Sequence, residues 1–307
     1  MSRPLYGGQA VIEGVMMRGP RDMAVAVRHP SGHIVVHTEQ LSSAIYTQQW
    51  AKLPIVRGIV ALWDTLGLGL RTLLFSANVA LGAVDSGEDD AGSAPSAMPE
   101  RVLWGTMVVA LAIATALFFV TPVLLMGVLD RFMGSSLASN LVEKLVRLAL
   151  ILGYIGGIGF LPDIRRVFAY HGAEHKAVNA LEAGTPLDVE SVRRFPVIHP
   201  RCGTTFLIVV VLVSFLVFAA LGQPPLVVRA LSRVVLIPLI AGLAYELVRV
   251  AARHYQNSLV RLVLAPGVAV QMLTTREPDD AQLETAIASL QAVLRAEAER
   301  ARALAVA

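Results

Sequence analysis

Residues 163–182 read DIRRVFAYHGAEHKAVNALE, in which His171, Glu174 and His175 form the pattern His-x-x-Glu-His. On a helix, residues four apart share a face. Two imidazoles so placed chelate one metal ion, and the carboxylate between them is positioned to activate water. The pattern is the reversed form of the zincin motif, and its chemistry is metal-assisted hydrolysis. The plain alternative is a solvated helix face stabilised by a His–Glu contact, because short strings of this composition also arise by chance.

A second element narrows the choice. His199-Pro200-Arg201-Cys202-Gly203 places a histidine and the single cysteine of the chain three residues apart on a Pro/Gly turn. His171 and His175 with Cys202 or His199 would complete a tetrahedral zinc site, and three protein ligands would leave one position for water. Two alternatives stand beside this: Cys202 as a small buried hydrophobe, or as a nucleophile paired with His199 or His171. Glu182 shares a helical face with His171 but lies about 10 Å beyond His175 along the axis, so it is expected to contact substrate or support a ligand rather than bind metal. A deaminase site needs His-x-Glu and Pro-Cys-x-x-Cys, and both halves are missing here.

Two other groups carry residues capable of chemistry. Glu13 and Arg18 lie in the glycine-rich string GGQAVIEGVMMRG, which lacks the Gly-Lys-Ser/Thr of a phosphate loop. His29 would face His33 across a turn at Pro30-Ser31-Gly32, with His37 on the same side. That group reads as an exposed edge of mixed polarity more readily than as a metal site.

The elements that position these residues are mostly apolar. The chain has 307 residues, 55% hydrophobic and 16% charged, with a mean hydropathy of +0.62. A soluble domain is nearer a quarter charged, so the excess points to lipid. The net charge of +3 is carried mainly by dispersed arginines, with no block suited to nucleic acid. One cysteine excludes an internal disulfide.

The expected fold is an all-α polytopic membrane protein with about four transmembrane helices, interfacial or re-entrant helices, and a small N-terminal β-hairpin. Residues 1–50 would hold a glycine-rich loop and a hairpin formed by 23–27 and 34–38. Residues 53–84 would form an amphipathic interfacial helix, because Arg57, Asp64 and Arg71 fall at intervals of seven on one stripe. The acidic stretch 85–100 reads as a flexible linker. A membrane domain would cover 101–274, with spans at 103–129, 145–161, 203–228 and 227–250, Pro122 kinking the first. The spacing of Gly153 and Gly157 suits close helix packing. Residues 262–273, broken by Pro266-Gly267, are too short to span. A C-terminal amphipathic helix over 275–307 would carry Leu283, Ile287, Leu290 and Leu294 on one stripe.

Arg165, Arg166, Lys176, Arg193, Arg194 and Arg201 concentrate positive charge in the 162–202 loop. The positive-inside rule places that loop in the cytoplasm, and four spans then put both termini there.

The strings GGQAVIEGVMMRGP (7–20), LPIVRGI (53–59), YHGAEHKAVNALE (170–182), HPRCGTTF (199–206) and TTREPDD (274–280) together resemble the YqhQ-like bacterial membrane proteins. That resemblance covers nearly the whole chain and implies a bacterial cytoplasmic-membrane protein described as a predicted metal-dependent enzyme. It supports grouping His171, Glu174, His175, His199 and Cys202, and adds Glu13 and Arg18 as candidates. It implies no substrate. The expected function is a zinc-dependent hydrolase, with His171, His175, His199 and Cys202 as ligands, Glu174 and Glu13 catalytic, and Arg18 and Glu182 in support. Its partners would be membrane lipids and a lipid-linked substrate, without nucleic acid. The competing expectation is a scaffold, assembly factor or transporter with a structural metal.

Overall fold

The computed structural model describes residues 6–41, 53–85, 100–129, 132, 136–200, 202–222, 228, 231–232, 235–254 and 256–306. Most of the expected linker at 85–100 lies outside them.

The N-terminus is a four-stranded antiparallel meander of β1 (Gly7–Val11), β2 (Gly14–Arg18), β3 (Asp22–Arg28) and β4 (Ile34–Gln40), in sequential order. The expected hairpin is β3–β4, pairing Val25 with His37 and Arg28 with Ile34. The glycine-rich segment read as an irregular loop is instead β1 and β2. Its glycines serve packing: a Cβ on Gly14 would lie 2.3 Å from the Ala26 carbonyl oxygen. Period-two alternation is absent because helices cover both faces of the sheet.

Helix α1 (Val56–Ala80) packs Leu68, Phe75 and Val79 against Val11, Met16, Val25 and Val27 on one face. The opposite face, with Val15, Met17 and Ala24, meets two further helices, α5 (Pro162–Ala183) and α10 (Asp280–Val306). The expected C-terminal stripe is confirmed in α10, where Leu283, Ile287 and Leu290 are buried and Leu294 packs beside them. Asp279 and Gln282 cap that helix reciprocally, each backbone N–H donating to the other side chain.

The remaining helices are apolar: α2 (Glu100–Thr115), α3 (Thr121–Leu129), α4 (Ser136–Ile158), α7 (Gly203–Leu221), α8 (Ile237–Arg253) and α9 (Ser258–Thr274). A short α6 (Val189–Arg193) lies between α5 and α7. Among the described residues, two helices, α1 and α7, are individually long and apolar enough to cross a bilayer; α4 and α5, bent by 100° at their junction, are so only as a pair. A π turn at Ala116–Val120 joins α2 to α3 just before Pro122, and the Arg147 side chain donates to the Phe118 carbonyl there. Of the expected 227–250 span, α8 covers 237–250. Among the described residues, a Cβ at Gly153 or Gly157 meets nothing within 4 Å, so no close helix packing is seen there.

The charged stripe of α1 turns toward protein. Arg57 pairs with Glu246 of α8, Asp64 with Arg18 of β2 at 2.7 Å, and Arg71 with Glu39 of β4 at 2.9 Å. Trp63, Leu66, Leu70, Leu73 and Leu74 are left exposed on another face. Alanine at either Arg57 or Glu246 is expected to lower the melting temperature of detergent-solubilised protein, since the remaining charge loses its partner. A double-mutant cycle should return a favourable coupling between the two side chains; strictly additive losses would refute a stabilising pair.

Candidate metal centre

Helix α5 forms where expected. Pro162 occupies its first turn with Asp163, and Gly184 closes it at φ 72°. His171 and His175 project from one face with ring centroids 4.3 Å apart. Cys202, the N-cap residue of α7, brings its Sγ to 3.2 Å from His171 Nε2. Donor atoms of His171, His175 and Cys202 all lie within 4.8 Å of one another.

The outer nitrogens fix the rings. His171 Nδ1 lies 2.9 Å from the Thr274 carbonyl oxygen, and His175 Nδ1 lies 2.6 Å from that of Val197. A carbonyl only accepts, so each Nδ1 carries the proton and each Nε2 turns its lone pair toward the cluster. Metal-binding histidines are typically oriented this way. The donor set therefore fits a zinc ion.

Glu174 is buried beside the histidines, its Oε2 3.4 Å from His175 Nε2. Burial pushes its carboxyl up to about 7, although the nearby His171 and the Gly8 backbone N–H favour the charged form. Gly8 is needed for this contact: a Cβ there would sit 2.8 Å from Glu174 Cγ. Close approach also holds the helix itself, since a Cβ on Gly172 would lie 2.1 Å from the Arg276 carbonyl oxygen.

His199 stands apart from the other three. Its ring is 5.9 Å from that of His175, and its Nε2 lies 3.5 Å from Glu182 Oε1. Burial lowers its pKa to about 4, with His175 adding to the effect. Glu182 is thus a partner of His199. Buried Gln271 accepts from the His199 N–H and donates to the His199 carbonyl and to Thr205 Oγ1. Sequence reasoning missed Gln271, although a lone amide in the apolar stretch 262–273 was visible. Asn179, which donates to the Pro196 and Ile198 carbonyls, was missed as well.

Glu13 and Arg18 lie elsewhere. Glu13 forms the β1–β2 turn at φ 53°, its carboxylate held by Arg166 and, at 3.4 Å, by the Tyr170 hydroxyl. Burial and the adjacent Glu13 push the Tyr170 phenol up to about 12. Arg18 is engaged by Asp64 and Thr65. Neither residue lines the cavity at the cluster, so the catalytic role expected of Glu13 and the supporting role expected of Arg18 find no contact there.

That cavity, about 420 Å³, is bounded by Gly8–Ala10 of β1, Thr65 of α1, His171, Glu174 and His175 of α5, and Cys202–Thr204 at the start of α7. Such a size accommodates a small organic group.

Apolar helices of bilayer-crossing length, joined to a sheet unit with a partly buried His/Cys/Glu cluster, mark a helical membrane protein. The chain belongs to the family described as Protein of unknown function (DUF1385), which matches residues 53–296. It is 33% identical over 309 residues to Uncharacterized protein YqhQ of Bacillus subtilis (strain 168), across 96% of this chain and 94% of that protein. The YqhQ-like resemblance is thereby confirmed. No solved structure matches the chain.

Proposed function

We propose that the chain is a zinc-dependent hydrolase of the bacterial cytoplasmic membrane, acting at the cytoplasmic face on a membrane-associated substrate. The observation that carries this reading is the pair of backbone carbonyls holding both histidine Nδ1 protons, which leaves two Nε2 lone pairs and the Cys202 sulfur convergent. Zinc bound by His171, His175 and Cys202 would supply Lewis-acid activation of substrate and water. Glu174, buried and titrating near neutrality, takes the proton from the attacking water and returns it to the leaving group.

The membrane arrangement follows from a parity argument. The sheet, α5 and α10 share one core and so lie on one side of the bilayer. The chain between 41 and 162, and again between 202 and 274, must therefore cross an even number of times. Two crossings before the site (α2–α3 and α4) and two after it (α7 and α8) satisfy this, with α1 and α9 lying along the interface. The exposed apolar face of α1 would rest in lipid while its charged stripe meets protein. Positive charge in the 162–202 loop supports a cytoplasmic setting for the shared core. A lipid-linked substrate would reach the cavity beside the start of α7.

A structural metal in a scaffold or transporter would need a fourth ligand, and His199 faces Glu182 instead. The 3.2 Å Cys202–His171 contact favours a different second reading, a thiol nucleophile with an imidazole base. Metal analysis separates the two. Purified protein should retain one tightly bound zinc through gel filtration, and His171→Ala/His175→Ala should lose it. Zinc retained in the double variant overturns the metalloenzyme, and a metal-free wild type whose Cys202 reacts rapidly with iodoacetamide supports the thiol reading.

A further inference from the structure

A second group of metal-ligating side chains lies away from the candidate centre, at the tip of the β3–β4 hairpin. The turn there is tightly bonded: the His29 N–H donates to the His33 carbonyl at 2.9 Å, and the Gly32 N–H to the His29 carbonyl at 2.8 Å. It holds the His29 and His33 rings stacked, with centroids 4.7 Å apart. Both Nε2 atoms point at one carboxylate. Asp85 Oδ1 lies 3.7 Å from His29 Nε2 and 3.4 Å from His33 Nε2. Donor atoms of the three residues fall within 4.8 Å of one another.

The opposite nitrogens converge as well. Ser31 Oγ sits 2.7 Å from His29 Nδ1 and 2.8 Å from His33 Nδ1. A hydroxyl oxygen has two lone pairs, so it can accept from both Nδ1–H groups at once. In that tautomeric state both Nε2 lone pairs face Asp85, and one hydroxyl serves as the outer partner of two ligands. Without metal the other tautomer of each ring is favoured, since the Ser31 N–H lies 3.2 Å from His29 Nδ1 and the Asp85 carbonyl oxygen 3.2 Å from His33 Nε2. Binding would therefore move one proton between the ring nitrogens of each histidine.

We propose that His29, His33 and Asp85 form a second site for a divalent transition metal of the zinc or copper class. Two imidazoles and one carboxylate suit those ions rather than magnesium or calcium. Asp85 and His33 are well exposed, so the site keeps positions open to water and binds more weakly than the buried one. Its ends belong to different elements: the histidines to the hairpin, Asp85 to the segment leaving α1. A bound ion would tie the sheet to the end of α1. His37 takes no part, because its ring packs on Phe75 at 5.4 Å.

The test is zinc titration of the full chain in detergent against a chromophoric chelator. Beyond the tight equivalent, the wild type should bind one more zinc. His33→Ala and Asp85→Asn should each weaken that second binding 10-fold or more, with melting temperature unchanged in the absence of metal. His171→Ala/His175→Ala should retain it, so failure of either site leaves the other testable. Copper bound at the weak site should show coupling to two nitrogens by electron paramagnetic resonance. Weak binding unaltered in both His33→Ala and Asp85→Asn, or copper spectra without nitrogen coupling, would overturn the proposal.

Discussion

Alanine at Gly172 is expected to unfold the sheet unit or to leave it several degrees less stable and unable to hold zinc tightly. The added methyl would sit 2.1 Å from the Arg276 carbonyl oxygen and 3.3 Å from Val197 Cγ1. The Arg276 segment is also tied to α5 by its own N–H, which donates to the Phe168 carbonyl at 2.9 Å. Neither backbone moves alone, so the helix and the segment must separate. Overpacking of this kind costs about 1–3 kcal/mol and sometimes more. The same segment carries the Thr274 carbonyl that holds His171. Losing such an outer partner typically costs about 10–100-fold in metal affinity. The control is Gly157→Ala, where a Cβ meets nothing within 4 Å; it should match the wild type in melting temperature and zinc content. Equal behaviour of the two variants would refute the contact.

The second large effect concerns pH in the metal-free protein. Glu174 has its carboxyl raised from 4.5 to about 7 by burial. The folded state then holds a proton that the unfolded chain releases near 4.5, so this group makes stability fall as pH rises from 4.5 through 7. His199 has its imidazole lowered from 6.5 to about 4. There the unfolded chain binds the proton first, so stability falls as pH drops from 6.5 through 4. Each effect is worth about 3 kcal/mol. They oppose each other between 4.5 and 6.5, and the wild-type profile should be nearly flat there. Glu174→Gln should unmask stability that rises with pH across that window, and His199→Asn stability that falls. Saturating zinc should erase the Glu174 contribution, because a nearby cation favours the carboxylate. Melting curves with and without chelator measure all of this, and identical slopes in the two variants would sink the assignment of either proton.

The helix carrying His171, Glu174 and His175 was legible because its capping residues and ligand spacing are local. So was the Cys202 turn, where proline and glycine mark the bend. The strands at 7–18 were not. Burial on both faces removed the alternation of β2, and the glycines of β1 and β2 mimic a loop while in fact admitting Glu174 and the Ala26 backbone. His199 lines the same cavity but falls outside the convergent group of three, because spacing cannot say which way a side chain on a turn faces. The carbonyls of Thr274 and Val197, which orient the histidines, carry no side-chain signature at all. Helical arithmetic set Glu182 apart from His171 and His175, and its carboxylate meets His199.

The sheet unit is built from both ends of the chain. Ser289 donates to the Ala24 carbonyl, Glu297 accepts from the Arg21 and Asp22 N–H groups, and Arg300 grips Asp22. During synthesis the first strands emerge long before these partners, and the apolar helices are made in between. A nascent chain stalled before Thr274 already owns His171, His175 and Cys202, yet lacks the acceptor that aims His171. The orientation of that ring is therefore set late, only after the segment that carries Thr274 has been made.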